Sequence, residues 1–170
     1  FIVGNYHYQL NFGIGPLSSP SNVLLSSPLD VGSYISKHNS AGAILWARGN
    51  VIESPSGIID GLGIAVDSNG YLIITGNTSG IMRFTGPFGL TTTGTGNIYV
   101  MKYRGSDGAH LWLKRSVNVG GAGSGNAITT DSDRNIYTTG YIQGNFDIDN
   151  KTASSPSTST KSTFLYKVGP

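Results

Sequence analysis

The sequence predicts an all-β fold built from short antiparallel strands, and three observations support this prediction. Charged residues make up only 12% of the chain, which contains 25 glycines, a composition that suits short strands joined by many turns. No apolar stripe with the 3.6-residue period of a helix extends over a useful length. Three sequence landmarks recur in a fixed order at a spacing of about 65 residues, which indicates an internal repeat.

Each landmark combines a strand with a characteristic residue. The first is an alternating strand that ends in lysine, and its three lysines are 65 residues apart. The second is a turn and strand with the pattern Gly-Ala-x-Leu-Trp, and the third is a pair of apolar strands of which the second ends in Thr-Gly. They lie at 34–37, 99–102 and 164–167 for the first, at 42–46 and 108–112 for the second, and at 63–76 and 126–140 for the third.

Each repeat unit contains four predicted strands, named A to D. In the central unit they lie at about 62–66, 71–76, 98–103 and 109–115. Short turns rich in Gly, Asn and Asp join A to B and C to D, because these residues tolerate the backbone of tight turns. The B–C and D–A connections are long. Four antiparallel strands at this period are typical of a β-propeller blade.

The chain holds about two and a half such blades in one repeat domain. Residues 1–48 are predicted to form a partial blade with strands B, C and D, residues 62–115 a complete blade, and residues 125–170 a partial blade with strands A, B and C. A closed propeller has typically about 4–8 blades, and repeat units need neighbours to bury their apolar faces. We therefore expect these residues to belong to a longer chain or to a ring closed by self-association.

The repeat resembles a known family. Residues 63–70 have the sequence Gly-Ile-Ala-Val-Asp-Ser-Asn-Gly, and they are followed by Thr-Gly at 75–76, Tyr-Val-Met-Lys-Tyr at 99–103 and the turn of the second landmark. This pattern is similar to the bacterial β-propeller repeat labelled SBBP. The resemblance implies a propeller that is extracellular or at the cell surface, with no common set of catalytic residues. The chain departs from the pattern at Arg134, which occupies the position of Gly70.

Composition excludes several classes of function. The formal charge is +2, from 11 basic and 9 acidic residues, and no Lys/Arg cluster exists, so we expect no nucleic-acid partner. The chain has no cysteine, which excludes disulfides and cysteine-ligated zinc or iron–sulfur sites. No apolar run approaches about 20 residues, so no transmembrane helix is expected.

One segment has the spacing of a calcium-binding loop. Asp131, Asp133 and Asn135 alternate as the first ligands of such a loop do. The equivalent segment of the central unit, 67–70, is a turn, and no glycine or bidentate glutamate follows at the required positions. The pattern therefore favours a hairpin turn, with these three residues as a weak candidate metal site, and no cofactor is expected.

Catalytic residue patterns are equally weak. His7, His38 and His110 are the only histidines and are scattered in the repeat, which suits neither a metal site nor a catalytic triad. No Gly-x-Ser-x-Gly sequence stands between a strand and a helix. We expect no catalytic residues and no enzymatic activity.

Two asparagines lie in glycosylation sequons. Asn77 begins Asn-Thr-Ser, and Asn150 begins Asn-Lys-Thr. Such matches are frequent in a chain rich in Ser and Thr, and they acquire meaning only in a eukaryotic secretory protein.

Recurring aromatic residues suit packing better than ligand binding. Trp46 and Trp112 occupy equivalent strand positions, which favours a place between blades. Phe12, Phe84 and Phe146 follow the strand-B glycine by 8, 8 and 6 residues, and we expect them to fill the space between a connection and its blade.

The long connections give the main functional hypothesis. In an antiparallel A-to-D order they all lie on one face, where a rigid scaffold usually binds its partners. The sequence thus predicts a non-catalytic scaffold or interaction module whose partner is another protein or further blades of the same ring. The alternative is part of a propeller enzyme, a hydrolase or dehydrogenase, whose axial active site is completed by other blades. The connections are 5–32, 47–61, 77–97, 116–124 and 142–162.

Overall fold

The computed structural model describes residues 1–11, 24–52, 57–79, 82–84, 89–90 and 97–170, and every regular element in these residues is a β-strand. Strands pair antiparallel in three sheets, so the predicted all-β fold is confirmed. The described part contains no helix of the length and apolarity that crossing a membrane requires. The strands are β1 (Ile2–Asn11), β2 (Leu24–His38), β3 (Ile44–Ile52), β4 (Ile58–Val66), β5 (Tyr71–Ser79), β6 (Met82–Phe84), β7 (Gly89–Leu90), β8 (Asn97–Arg104), β9 (His110–Arg115), β10 (Val117–Thr130), β11 (Ile136–Ile148), β12 (Lys151–Ser154) and β13 (Ser162–Val168).

The central sheet has the order β4-β5-β8-β9, which corresponds to strands A, B, C and D of one blade. The turn between A and B is fixed by Asp67, whose carboxylate accepts hydrogen bonds from the backbone N–H groups of Asn69 and Tyr71 at 3.0 and 2.9 Å. Gly70 closes the turn with a φ of 77°, a conformation that glycine adopts without steric cost. Strand β4 begins earlier than the sequence pattern indicated, at Ile58.

The third unit forms the same turn without the glycine. Arg134 adopts a φ of 66° at the position of Gly70, and Asp131 replaces Asp67 as the acceptor for the turn, taking the backbone N–H of Asn135 at 2.8 Å. The departure of Arg134 from the repeat pattern therefore leaves the turn geometry intact.

The other two sheets contain the corresponding strands of their own units, and their outer edges differ. The first has the order β1-β2-β3-β6-β7, so strands B, C and D are followed by a hairpin from the next unit. The third has the order β10-β11-β12, and β13 pairs with β11 next to β12. β10 and β11 supply strands A and B, and β13 supplies strand C.

The long connections between B and C contain short β-strands in their described residues. β6 pairs with the end of β3, the outer strand of the sheet before it, and β7 covers β6. In the third unit, the end of β11 pairs with the first residues of β10, which directly continue β9 after Ser116. The β6–β7 hairpin therefore joins the central unit to the outer strand of the sheet before it, whereas the end of β11 pairs within its own sheet. Residues 12–23, 53–56, 80–81, 85–88 and 91–96 of the predicted connections, with Phe12, lie outside the described residues.

The core lies between neighbouring sheets. Ile35 and Trp46 of the first sheet pack in one buried cluster with residues of β4, β5 and β8, and the indole N–H of Trp46 donates to the carbonyl oxygen of Gly105 at 3.3 Å. Trp112 packs against a second cluster shared by the central and third sheets. The tryptophans thus occupy the positions between sheets that their recurrence predicted. Phe146 is buried in a smaller cluster with Ile98 and Ile142.

Candidate functional site

An apolar groove with a volume of about 280 Å³ lies beside the outer part of the third sheet. It is enclosed by β11, β12 and β13 and by the adjacent ends of β8 and β9, so part of its wall is the predicted connection 142–162. Most of the side chains around it are apolar, and two lysines, a serine and a threonine complete the lining. The groove is lined by Ile98, Ser116, Ile142, Phe146, Ile148, Lys151, Thr152, Ala153, Phe164, Leu165, Tyr166 and Lys167.

One wall of the groove is the hairpin that the end of β11 forms with β12, and Gly144 lies at the base of this hairpin. This glycine has a φ of 79°, which an L-residue adopts only with strain, and Ser155 holds it from the side. The backbone N–H of Gly144 donates to the Ser155 hydroxyl at 2.9 Å, and the N–H of Ser155 donates to the Gly144 carbonyl at 3.0 Å. These two hydrogen bonds close the base of the hairpin formed by the end of β11 and β12.

A small polar cluster joins this hairpin to the two sheets. Asp149, in the turn before β12, forms an ion pair with Lys114 of β9 and accepts a hydrogen bond from the Tyr166 hydroxyl at 2.7 Å. Burial raises the pKa of Asp149, but the hydrogen bonds from Lys114 and Tyr166 and the nearby positive charges outweigh burial and leave the pKa below its ordinary value. Burial, and next the hydrogen bond to Asp149, raise the pKa of Tyr166 well above its ordinary value.

No sequence pattern predicted this cluster. Lys114 lies on an outer strand and Asp149 lies 35 residues later in a connection, and neither belongs to a motif with a fixed spacing. Their contact depends on the tight turn at Asp149 and Asn150, both of which have a positive φ, and the Asp-Asn pair at 149–150 was a local signal for that turn. The cluster fastens the hairpin and leaves the apolar groove open beside it.

The free edge of β13 runs along the groove. Strand C of the first sheet, β2, lies between β1 and β3, and strand C of the central sheet, β8, lies between β5 and β9. Within the part of the chain that the structure describes, β13 pairs on one edge with β11 and has no strand on the other. An exposed edge of this kind can accept another extended segment through main-chain hydrogen bonds.

One residue of β13 is exposed at a position where the repeat is otherwise buried. Leu165 precedes the landmark lysine by two residues, as Ile35 and Val100 do. Ile35 and Val100 are 0% exposed, because each packs against the sheet that follows, whereas Leu165 is 73% exposed. The face of the third sheet that should meet a following sheet is therefore open to solvent.

The candidate calcium ligands lie in a turn whose oxygens are already engaged. One oxygen of the Asp131 carboxylate accepts the backbone N–H of Asn135, and the other accepts the Asn135 side-chain amide at 2.8 Å and the Tyr137 hydroxyl at 2.9 Å. The hydrogen bond from Asn135, followed by that from Tyr137, lowers the pKa of Asp131 against the opposing effect of burial. Asp133 is exposed. In the described residues, no group of three or more His, Cys, Asp or Glu side chains is placed to hold a metal ion.

The two sequon asparagines differ in accessibility. Asn150 is exposed in the tight turn before β12, with a φ of 59°. Asn77 is half-buried on β5, and its side-chain amide lies 3.5 Å from the hydroxyl of Ser124 in the neighbouring sheet. A glycan on Asn77 would have to displace this contact between sheets.

The histidines do not converge. His38 contacts the Ser36 hydroxyl at 2.9 Å and the Gly42 carbonyl at 3.0 Å within its own hairpin. His110 packs edge-on against the ring of Tyr103, and burial lowers its pKa. His7 is exposed on β1. Each histidine therefore belongs to a different local environment.

Comparison with protein families identifies the repeat. Residues 119–147, which span most of β10 and nearly all of β11, match the model of the β-propeller repeat family SBBP. The predicted resemblance is confirmed for this part of the chain. No curated protein matches the chain. The family match supports the propeller architecture and assigns no ligand or activity.

Proposed function

We propose that the protein is a non-catalytic β-propeller scaffold and interaction module, secreted or located at the cell surface, that works within a longer chain or assembly. Its binding surface is the face that carries the long connections, including the groove beside β13. The exposure of Leu165 carries this proposal. At the equivalent position in the other two sheets, the following sheet removes the side chain from water completely.

Burial of the Leu165 side chain would be energetically favourable. Burying a leucine side chain contributes roughly 1.5–3 kcal/mol relative to exposure, and an open sheet edge is a site for uncontrolled pairing. A further sheet packed on this face would bury the leucine, and a strand paired with β13 would occupy the open edge. The apolar groove lies beside the same edge, which supports a protein segment as its occupant.

The exposed side chains of strand A in the central sheet support a scaffold over an enzyme. Strand β4 exposes Ile58, Leu62 and Val66, which are aliphatic and can neither transfer a proton nor act as a nucleophile. An axial active site would need ionisable or nucleophilic side chains at such positions. The enzyme alternative would therefore depend on side chains from other blades.

Cysteine accessibility tests the proposal, because the chain contains no cysteine. Leu165→Cys, Thr152→Cys and Leu111→Cys are prepared in the protein as its own host produces it, and the rate of maleimide modification is measured under native conditions. Leu165→Cys reports the open face, Thr152→Cys reports the groove, and Leu111→Cys is the exposed control on β9. The exposures in the 170-residue chain alone would make Leu165→Cys react faster than Leu111→Cys, since the side chains are 73% and 39% exposed.

We expect the reverse order in the native protein, with Leu165→Cys and Thr152→Cys both slower than Leu111→Cys. Faster modification of Leu165→Cys would contradict the larger assembly. Protection of Leu165→Cys with a fully reactive Thr152→Cys would contradict the groove as a binding surface.

The same control variant tests the location. A membrane-impermeant maleimide added to intact cells should modify Leu111→Cys if the protein is secreted or at the cell surface. Modification that requires cell lysis would contradict this part of the proposal.

A further inference from the structure

The connection that joins β12 to β13 is dominated by hydroxyl side chains. Eight of the eleven residues from 152 to 162 are serine or threonine, with one proline and no large apolar residue. A segment of this composition has little apolar surface to bury against a blade. The packing of the third sheet therefore does not explain why so many hydroxyl groups are present here.

The base of this connection is fixed to the blade by Ser155. This residue is buried, and its hydroxyl donates to the carbonyl oxygen of Ser157 at 2.5 Å and accepts the backbone N–H of Gly144 at 2.9 Å. The N–H of Gly144 also donates to the Ser157 carbonyl oxygen at 3.2 Å. Every residue from 156 to 161 is exposed, so the tip of the connection presents its hydroxyls to solvent from a fixed base.

The hydroxyls at the tip differ in the contacts that they make. The Ser157 hydroxyl accepts the backbone N–H groups of Ser159 and Thr160 at 3.3 and 3.1 Å. It also lies 3.0 and 2.9 Å from the hydroxyls of these two residues. These three hydroxyls therefore form one local network that shapes the turn. Thr158 lies within the same four residues but takes no part in these hydrogen bonds.

The methyl group of Thr158 lies against the blade. A Cβ atom placed on Gly144 would be 3.3 Å from the methyl carbon of Thr158. The methyl group and the hydroxyl of a threonine are separate branches of its Cβ atom, so this contact directs the hydroxyl away from the glycine. Thr158 is exposed. Its hydroxyl can therefore take a covalent substituent without loss of the hydrogen bonds that hold the turn.

The charges near the tip distinguish between two classes of substituent. Residues 152–160 contain no acidic or basic side chain, and the ammonium group of Lys161 lies 4.1 Å from the centre of the Tyr141 ring. A phosphoryl group carries about −1.5 to −2 charges at pH 7 and is stabilised by a cluster of arginines or lysines. A neutral sugar needs no cationic partner, and segments rich in Ser, Thr and Pro are typical sites of O-glycosylation. The tip therefore suits a sugar better than a phosphoryl group.

We propose that the protein is O-glycosylated at the tip of the β12–β13 connection, with Thr158 as the principal acceptor. A glycosyltransferase supplies a sugar that is activated by a phosphate group on its anomeric carbon. The Thr158 hydroxyl oxygen forms a bond to this carbon, and the bond from the carbon to the phosphate oxygen breaks. The hydroxyl proton passes to a base of the transferase, and the phosphate leaves with the electron pair, so no oxidant or reductant takes part. This site does not depend on what packs against Leu165.

Mass spectrometry of one tryptic peptide tests the proposal. Trypsin cleaves after Lys151 and Lys161 and releases residues 152–161 as a single peptide. The protein is purified from its natural source, and fragmentation by electron transfer, which keeps sugars attached, locates the modified residue. We expect this peptide to carry whole sugar residues, with Thr158 modified most often. A sugar on Asn150 would appear in a different peptide and would be distinguished in this way.

The tryptic peptide 105–114 is the matched control. It contains Ser106, a single exposed serine in a tight turn, and it should be unmodified. The same chain made by cell-free translation without glycosyltransferases should give unmodified masses for both peptides. An unmodified peptide 152–161 from the natural source, or one that carries phosphate, would overturn the proposal. Equal amounts of sugar on both peptides would also overturn it, because modification would then follow exposure alone.

The acceptor is tested by Thr158→Val and Thr158→Ser, both produced in the natural host. Valine keeps the methyl contact with Gly144 but lacks the hydroxyl, so most of the sugar should be lost from the peptide. Serine keeps the hydroxyl and should retain the sugar. Unchanged urea midpoints show that both variants are folded. Full retention of sugar in Thr158→Val would contradict Thr158 as the acceptor. An unmodified wild-type peptide with Leu165→Cys protected in the native protein would reject this inference and leave the proposed function standing.

Discussion

The buried ion pair between Lys102 and Asp67 provides a quantitative test of the fold. The two side chains are 8% and 0% exposed, and their charged atoms are 3.1 Å apart. The second oxygen of Asp67 accepts the backbone N–H groups that hold the A–B turn. Lys102→Met keeps most of the aliphatic stem and removes the charge, so the Asp67 carboxylate stays buried without its partner.

The expected loss follows from the cost of an unbalanced buried charge. Breaking a buried pair by removing one partner destabilises a protein by roughly 3–5 kcal/mol. The two backbone N–H groups still stabilise the carboxylate, so we expect about 3 kcal/mol, at the lower end of this range. Arg104→Met is the matched control, because the Arg104–Asp107 pair in the same sheet has side chains 51% and 52% exposed. Exposed pairs contribute about 0–1 kcal/mol.

Urea unfolding followed by tryptophan fluorescence measures both variants. The Lys102→Met midpoint should fall clearly below that of Arg104→Met at an unchanged slope. The double variant Lys102→Met/Asp67→Asn should recover part of the loss, since neither charge remains. A Lys102→Met chain as stable as Arg104→Met would refute the reasoning.

Three further predictions address the sheets and the hairpin. Gly76→Ala should destabilise the chain by about 3 kcal/mol because the new methyl group would overlap the Asp60 carbonyl and the Tyr99 hydroxyl. The control Gly42→Ala introduces a methyl group that meets no atom, but position 42 has a φ of 81°, so this variant should cost about 1 kcal/mol. Equal urea midpoints for the two variants would contradict the bulge that β4 forms opposite Gly76. Trp46→Ala should cost roughly 3–5 kcal/mol, and Trp112→Ala less because its indole is only partly buried; the reverse order would show that the two interfaces are misassigned. Because the pKa of Asp149 is lowered in the folded chain, its contribution is present above the ordinary carboxyl pKa and is lost as the pH falls through the folded value. Asp149→Asn should therefore be less stable than wild type at about pH 6 and nearly equal at about pH 2, and a constant difference would contradict the shift.

The strand order of the blade was predictable because it depends on local signals. The B strands are apolar and end in Thr-Gly at 75–76 and 139–140, and Asp67 with Gly70 marks the turn that joins A to B. These features repeat at nearly constant offsets, so each unit confirms the assignment of the others. Arg134 departs from the pattern, but the turn tolerates it because Asp131 still binds the backbone of the turn.

The pairing of the connections could not be predicted in the same way. β6 finds its partner in β3, and the end of β11 finds its partner at the start of β10. These ladders join residues that are distant in sequence, and the connections differ in length and composition between units. Nothing in a single unit shows that its B–C connection pairs with the sheet before it.

The candidate site was likewise predictable where it depends on local sequence and unpredictable where it depends on tertiary contacts. The importance of Leu165 follows from its register, which was visible as the position two residues before Lys167. Its exposure depends on what lies beside β13, and the alternating pattern of the strand carries no information about that. The Asp149 cluster depends on the position of the turn between β11 and β12 beside β9, which is a consequence of tertiary structure.

The most direct test of the account is the intact mass of the protein purified from its natural source, measured first after denaturation and then under native conditions. We predict a native particle well above the 17.8 kDa of these 170 residues, either because the denatured chain is itself longer or because several copies associate. A mass of 17.8 kDa in both measurements would contradict the central claim, because the edges of β1 and β13 and the face at Leu165 would then have no partner.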